Sequence, residues 1–119
     1  MDVDGIYQYT LSDADNSALS LIAVRGGRIR SGNDEGRVHE GTYRIDADGV
    51  LQASITTSFA AGCKLLGRSP GPDAWQFTLE FAFTRGRAVQ CFEVETPVGP
   101  LELAIEKLVG WKKGAKITL

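Results

Sequence analysis

His39 is the one histidine of this chain, and Cys63 and Cys91 are its two cysteines. These are the residue types of acid–base, nucleophilic and metal chemistry. A nucleophile–base pair needs its members within hydrogen-bond reach, and a structural zinc site draws its ligands from close pairs. Here the three residues come from separate segments, and neither cysteine belongs to a CxxC pair. The reading is free thiols, no metal, no cofactor and no enzyme. His39 shares its phase with Tyr43 in RVHEGTYRI, which makes it a hydrogen-bonded strand residue in preference to a general base.

Three other stretches invite a chemical reading. Glu93 and Glu95 share one face of a strand, the placement from which paired carboxylates perform acid–base work, but exposed strand positions hold such pairs more often. Residues 27–45, GRIRSGNDEGRVHEGTYRI, carry four glycines. A phosphate cradle needs a helix start after the glycines; the residues after Gly36 have the alternation of a strand instead, so the glycines turn the chain. The tail VGWKKGAKITL sets Trp111 beside Lys112, Lys113 and Lys116, too few groups for an RNA or membrane surface and suited to a last strand anchored by Trp111.

The elements that position these residues are strands. In AWQFTLEFAF, residues 74–83, Trp75, Phe77, Leu79, Phe81 and Phe83 alternate with Gln76, Thr78, Glu80 and Ala82, the period of a strand with one buried face. Arg85-Gly86 then turns the chain, and RAVQCFEV returns as the hairpin partner. That strand shows Val89 and Cys91 in one phase and Phe92 and Val94 in the other, which implies either two buried faces or a bulge near Cys91, the bulge being preferred. After the PVGP turn, Leu101, Leu103 and Ile105 alternate with Glu102, Ala104 and Glu106. Upstream, GIYQYTL (5–11), SALSLIAV (17–24), GRIR (27–30), RVHEGTYRI (37–45) and VLQASITT (50–57) are divided by DADN, Gly26-Gly27, SGNDEG and DADG, all rich in turn formers. Gly41 inside a strand marks a bulge, a bend or a close backbone contact.

About eight short strands with no helix signal predict an all-β chain folded as a small closed or nearly closed antiparallel barrel. At 119 residues, one domain covering 1–119 is expected. The segment 58–73, SFAAGCKLLGRSPGPD, is long for a connection and must cover Leu65 and Leu66, by capping one barrel mouth or through a short helix.

Bulk composition narrows the function. A net charge of −2 from 13 basic and 15 acidic residues provides no field for nucleic acid. Residues 1–50 carry nine acids against five bases, which places an acidic region in the first half. The start MDVDGIYQY has no leader pattern and no apolar run is long enough to cross a bilayer, so the expectation is a cytoplasmic protein that binds neither membrane nor nucleic acid directly.

Asp4-Gly5-Ile6-Tyr7, then GGRIRSGND, then a strand ending EGTYRI and an Asp-rich turn before an apolar strand together resemble the GrlR family of negative regulators of type III secretion. The resemblance covers most of residues 4–57. It implies a lipocalin-like barrel with an apolar interior, a homodimer, and a non-catalytic action through binding a partner transcription regulator. The acidic partner-binding motif of that family falls at Asp46 and Asp48, in DADG. Asp-Gly is also a strong hairpin signal, so a purely local turn role stands beside this one. A second reading is a carrier or sensor of an apolar small molecule or lipid, held among Trp75, Phe77, Leu79 and Phe81 with His39 or Tyr43 fixing its polar end.

Overall fold

In the computed structural model, which describes residues 3–32, 36–84 and 89–110, eight antiparallel strands succeed one another. They are β1 (Gly5–Ser12), β2 (Ser17–Arg25), β3 (Arg28–Arg30), β4 (Arg37–Ile45), β5 (Val50–Phe59), β6 (Trp75–Thr84), β7 (Val89–Thr96) and β8 (Gly99–Gly110). All eight expected strands are present. Their spatial order is β6-β5-β4-β3-β2-β1-β8-β7. Six strands form a meander, and the β7–β8 hairpin swings back so that β8 lies against β1. The sheet therefore curls into a nearly closed barrel. Its remaining seam lies between β6 and β7, where the Phe81 and Phe92 rings meet at 5.4 Å.

Alternation decides which side chains fill the interior. On β5, Leu51, Ala53, Ile55, Thr57 and Phe59 are buried and the residues between them are not. The same phase puts Tyr7, Tyr9 and Leu11 of β1, Ile22 and Val24 of β2, and Leu101, Leu103 and Ile105 of β8 into one continuous core. Fully burying an aliphatic or aromatic side chain of this size contributes about 1.5–3 kcal/mol. Most outward positions are polar, Leu19, Leu21 and Val89 being exposed exceptions: Thr56 and Thr78 face each other across β5 and β6 with their hydroxyls 2.7 Å apart. Apolar inside and polar outside is the reverse of a membrane-spanning barrel, and no helix among the described residues is long and apolar enough to cross a membrane.

Two glycine sites show why the turns and bends fall where they do. Gly26 and Gly27 have φ of +60° and +84°, the two-residue turn whose twist matches its flanking strands. Gly41 sits so close to β5 that an added Cβ would lie 2.0 Å from the Ser54 carbonyl oxygen. The expected close backbone contact is the reason for this glycine.

The bulge expected near Cys91 is absent. Register between β7 and β8 runs unbroken from Val89↔Glu106 to Thr96↔Gly99. Val89 and Cys91 point outward and are exposed, while Gln90 is buried in phase with Phe92 and Val94. The mixed apolar phase came from two exposed outward residues and one buried inward amide. A bulge occurs instead between β1 and β8, where Ile6 pairs with Val109 and Tyr7 with Lys107, passing over Leu108.

The long connection carries no helix. Leu65 and Arg68 exchange backbone hydrogen bonds of 2.7 and 3.0 Å, and Leu66 takes φ +53° to reverse the chain between them. Leu65 is fully buried and Leu66 half-buried against the core, as their coverage required. Arg68 pairs with Asp13 at 3.2 Å in the β1–β2 turn, Ala60 N–H donates to Gly36 O at 2.9 Å, and Trp75 Nε1 donates to Cys63 O at 3.0 Å. These contacts strap the segment across one barrel mouth. The Arg85-Gly86 turn, the centre of SGNDEG and the tail from Trp111 lie outside the described residues.

Gly41→Ala is expected to lose more than about 3 kcal/mol, the severe end for overpacking, because backbone cannot yield as a side chain can. Gly26→Ala, whose new Cβ meets nothing within 4 Å, should lose only about 1–2 kcal/mol through its left-handed φ. Urea melts of the two variants decide; equal losses would mean that β4 moves aside.

Candidate functional site

A buried polar layer crosses the barrel at the level of His39. β4 sets His39 directly opposite Thr57 of β5, and β2 sets Ser20 opposite Tyr9 of β1. β3 has already ended at Arg30, so at this level the His39 ring reaches β2 itself. His39 Nδ1 lies 2.8 Å from Thr57 Oγ1 and Nε2 lies 3.0 Å from Ser20 Oγ. The backbone holds the ring in place: His39 N–H donates to Ser31 Oγ at 2.8 Å and Ser31 N–H donates to His39 O at 2.9 Å.

Serine beside histidine is the arrangement of an activated nucleophile. Here the third member is a threonine hydroxyl where an orienting carboxylate would stand, and all three residues are sealed, with exposures of 5% for Ser20, 2% for His39 and 0% for Thr57. A neutral imidazole has one donor and one acceptor nitrogen, and a hydroxyl can serve either. The layer therefore satisfies a buried ring in whichever tautomer it takes. The Tyr9 ring packs on His39 with centroids 4.9 Å apart. Its hydroxyl, beside the already engaged Thr57, makes no hydrogen bond of ordinary geometry. Burial pushes the Tyr9 phenol well above its usual value, with Thr57 pulling weakly the other way, so the group stays neutral.

The six interior candidates all belong to inward-facing positions but do not gather around one space: Tyr43 and Phe81 border an open depression of about 430 Å³ across β4, β5 and β6 that the other four do not line. Trp75 stacks on Phe59 at 3.9 Å, and Phe77 packs against both rings. Phe77 and Leu79 are buried; Phe81 is half-buried at the seam. Tyr43 is half-buried and its hydroxyl donates to the Asp4 carboxylate, which also accepts from Gly26 N–H at 3.4 Å. Of the six, only Phe81 lines the internal void, together with residues such as Tyr7, Ile22, Leu51 and Phe83, and that void measures about 20 Å³. Ligand pockets are typically about 300–1,000 Å³. Among the described residues, side chains fill the interior around this void.

Asp46 and Asp48 occupy the β4–β5 turn in different ways. Asp46 Oδ1 accepts from the N–H groups of Asp48 at 2.9 Å and Val50 at 3.0 Å, and Oδ2 accepts from Gln52 Nε2 at 3.2 Å. The Val50 N–H, then the Gln52 amide, hold the Asp46 carboxyl below its ordinary value. Gly49 closes the turn at φ +80°. Asp48 is exposed. Glu93 and Glu95 are exposed on the outer face of β7, with Glu93 directly across from Glu102. Among the described residues no three His, Cys, Asp or Glu side chains gather as a metal site, and Cys63 and Cys91 are free thiols.

Sequence reasoning missed Ser20, Thr57 and Asp4. Ser20 lies in phase with Ile22 and Val24, and Thr57 in phase with Ile55 and Phe59. A hydroxyl on an otherwise apolar inward phase was the available signal. Asp4 had none, because it precedes β1 and meets Tyr43 only through the barrel's curvature.

These features define a small, nearly closed antiparallel β-barrel with a filled interior. No protein-family model, characterised protein or solved structure matches the chain.

Thr57→Val should lower stability by about 1–3 kcal/mol, the cost of leaving a buried polar group unpaired, while Thr57→Ser should retain most of it; equal losses in urea melts would show that the hydroxyl is not the cause. Acid titration tests the turn. The folded-state value of Asp46 lies below the unfolded 3.8, so its stabilisation is complete above that unfolded value and disappears as pH falls through the lower folded value. Asp46→Asn should therefore flatten the loss of stability below about pH 4, leaving the similar contribution of Asp13, whose carboxyl is held down chiefly by the Asp15 N–H.

Proposed function

We propose that this chain is a non-catalytic protein that works through its outer surface, binding a protein partner as the negative regulators of type III secretion it resembles bind a transcription regulator. The observation that carries this reading is the filled interior: the void is about 20 Å³, and the one histidine is enclosed with its hydroxyl partners. The groups offered to other molecules are on the strands' outer faces and at the turns. Asp48 is the partner-facing residue of DADG, and Asp46 shapes the turn that presents it. A cytoplasmic location and a homodimer belong to the same proposal through the resemblance.

The seam between β6 and β7 favours a second reading, in which an apolar ligand enters beside Phe81 and Phe92 and enlarges the void. That requires core side chains to move apart, since close-packed interiors leave no spare volume.

Tagged protein recovered from its native cytoplasm should carry a partner that Asp48→Lys loses and Asp46→Asn retains, with wild-type recovery falling as salt slows charge-steered association. Equal recovery by wild type and Asp48→Lys at every salt concentration would remove this site. Native mass spectrometry showing a retained lipid and no protein partner would favour the carrier.

A further inference from the structure

Among the described residues the large apolar side chains that are exposed are Leu19, Leu21, Ile45, Val89 and Leu108. All but Ile45, each between 43% and 49% exposed, stand on the one wall made by β2, β1, β8 and β7, which are consecutive neighbours in the sheet. Register brings them together. Leu21, Gln8, Glu106 and Val89 share one rung across the four strands, and Leu19, Thr10, Ala104 and Cys91 share the next outward rung. Leu108 stands beyond Glu106 at the bulge between β1 and β8. An apolar band therefore runs obliquely over the wall from β2 to β8 and β7, interrupted by half-buried Gln8 and Glu106. Exposed apolar area rimmed by polar groups marks an interaction surface.

The two flanks of the band differ in charge. On the β3 side lies exposed Arg28, whose guanidinium makes no ion pair or hydrogen bond among the described residues. Arg30 adds less, since it stands opposite Glu40. On the other flank Glu93 of β7 directly faces Glu102 of β8, and both are exposed. Like charges facing each other across strands destabilise a sheet, and no cation among the described residues pairs with either carboxylate. A cation brought by another molecule would offset that repulsion, and Arg28 of a second copy is such a group.

We infer that this single wall is the homodimer interface, on which two copies meet face to face about a two-fold axis lying along the apolar band. Such an axis sets band on band and exchanges the flanks, so each copy's Arg28 side faces the other's Glu93 and Glu102. Both copies use the same surface, so the contact closes at the dimer. Near the axis Gln8 and Glu106, neighbours in register, can pair reciprocally, the amide of one copy donating to the carboxylate of the other. The band supplies the apolar burial, and the flanking charges steer and orient the encounter. This interface rests on the homodimer proposed above and gives it a surface. It uses no residue of the β4–β5 turn, so the partner proposed for Asp48 is tested separately.

Sedimentation velocity of the full chain across a concentration series reads the monomer–dimer equilibrium. The wild type should reach a dimer and stop there. Leu19→Ser/Leu21→Ser should raise the dimer dissociation constant about tenfold or more by removing apolar contact from the centre. Arg28→Glu and Glu93→Arg/Glu102→Arg, each setting like charge on like charge twice per dimer, should each raise it by about tenfold. Mixed one to one, these two charge variants should recover the dimer, because both flanks of the mixed pair again meet opposite charge; a misfolded variant would not be rescued. A chain that stays monomeric, its wall left for another protein, overturns the inference and removes the homodimer from the proposed function, while recovery of a partner through Asp48 is unaffected. A dimer that none of the variants weakens, or that the mixed pair fails to recover, overturns this surface alone.

Discussion

The pairing of β8 with β1 turns a meander into a barrel, and the rest of the structure depends on it. A meander alone would leave β1 as a long unpaired edge, a template for aggregation. β8 covers that edge from Gly5↔Gly110 to Ser12↔Glu102. Closure makes every inward side chain a neighbour of the others, so Leu103 and Ile105 share one core with Ile22 and Ile55. The bulge that passes over Leu108 belongs to this closure, since an extra residue on one strand increases local twist and helps a sheet to curl.

Curling has a steric requirement on the far side. β4 approaches β5 so closely that Gly41 has no room for a side chain. Both ends are then tied by polar contacts. Asp4 holds Tyr43 and the Gly26 turn at one end, while the Leu65–Arg68 reversal and the Arg68–Asp13 pair brace the other. Each polar tie is worth little where solvent reaches it. Their effect is to decide which turns lie against which, while apolar burial supplies most of the stability.

The layer around His39 arises from the same geometry. β3 is only three residues long, and where it stops a gap between β2 and β4 must be filled by something that satisfies its own polar atoms. An imidazole between two hydroxyls does so and locks the strands in one register, since slipping β4 by one residue would turn the ring out of the barrel. Chemistry that resembles a catalytic pair in composition thus acts as an internal brace. The outer surface carries the exposed charges, with a shaped acidic turn at one end.

Much of this was legible in the order of the residues. Turn formers such as Gly26-Gly27, DADG and DADN marked the strand boundaries, and period-two alternation in WQFTLEFAF and LELAIE gave the inward faces there, because a strand's side chains alternate whatever surrounds it. The need to cover Leu65 was legible for the same local reason. Partner choice across the barrel was not: Ser20 meets His39, Asp4 meets Tyr43 and Phe81 meets Phe92 because the sheet curls, and curvature is a property of all eight strands together. The phase of β7 was ambiguous by itself, since Val89 and Cys91 are apolar yet exposed, and it was resolved by unbroken pairing with β8. The amount of empty space inside was likewise set by tertiary packing, for alternation says which side chains enter a barrel and their mutual fit decides whether any room remains.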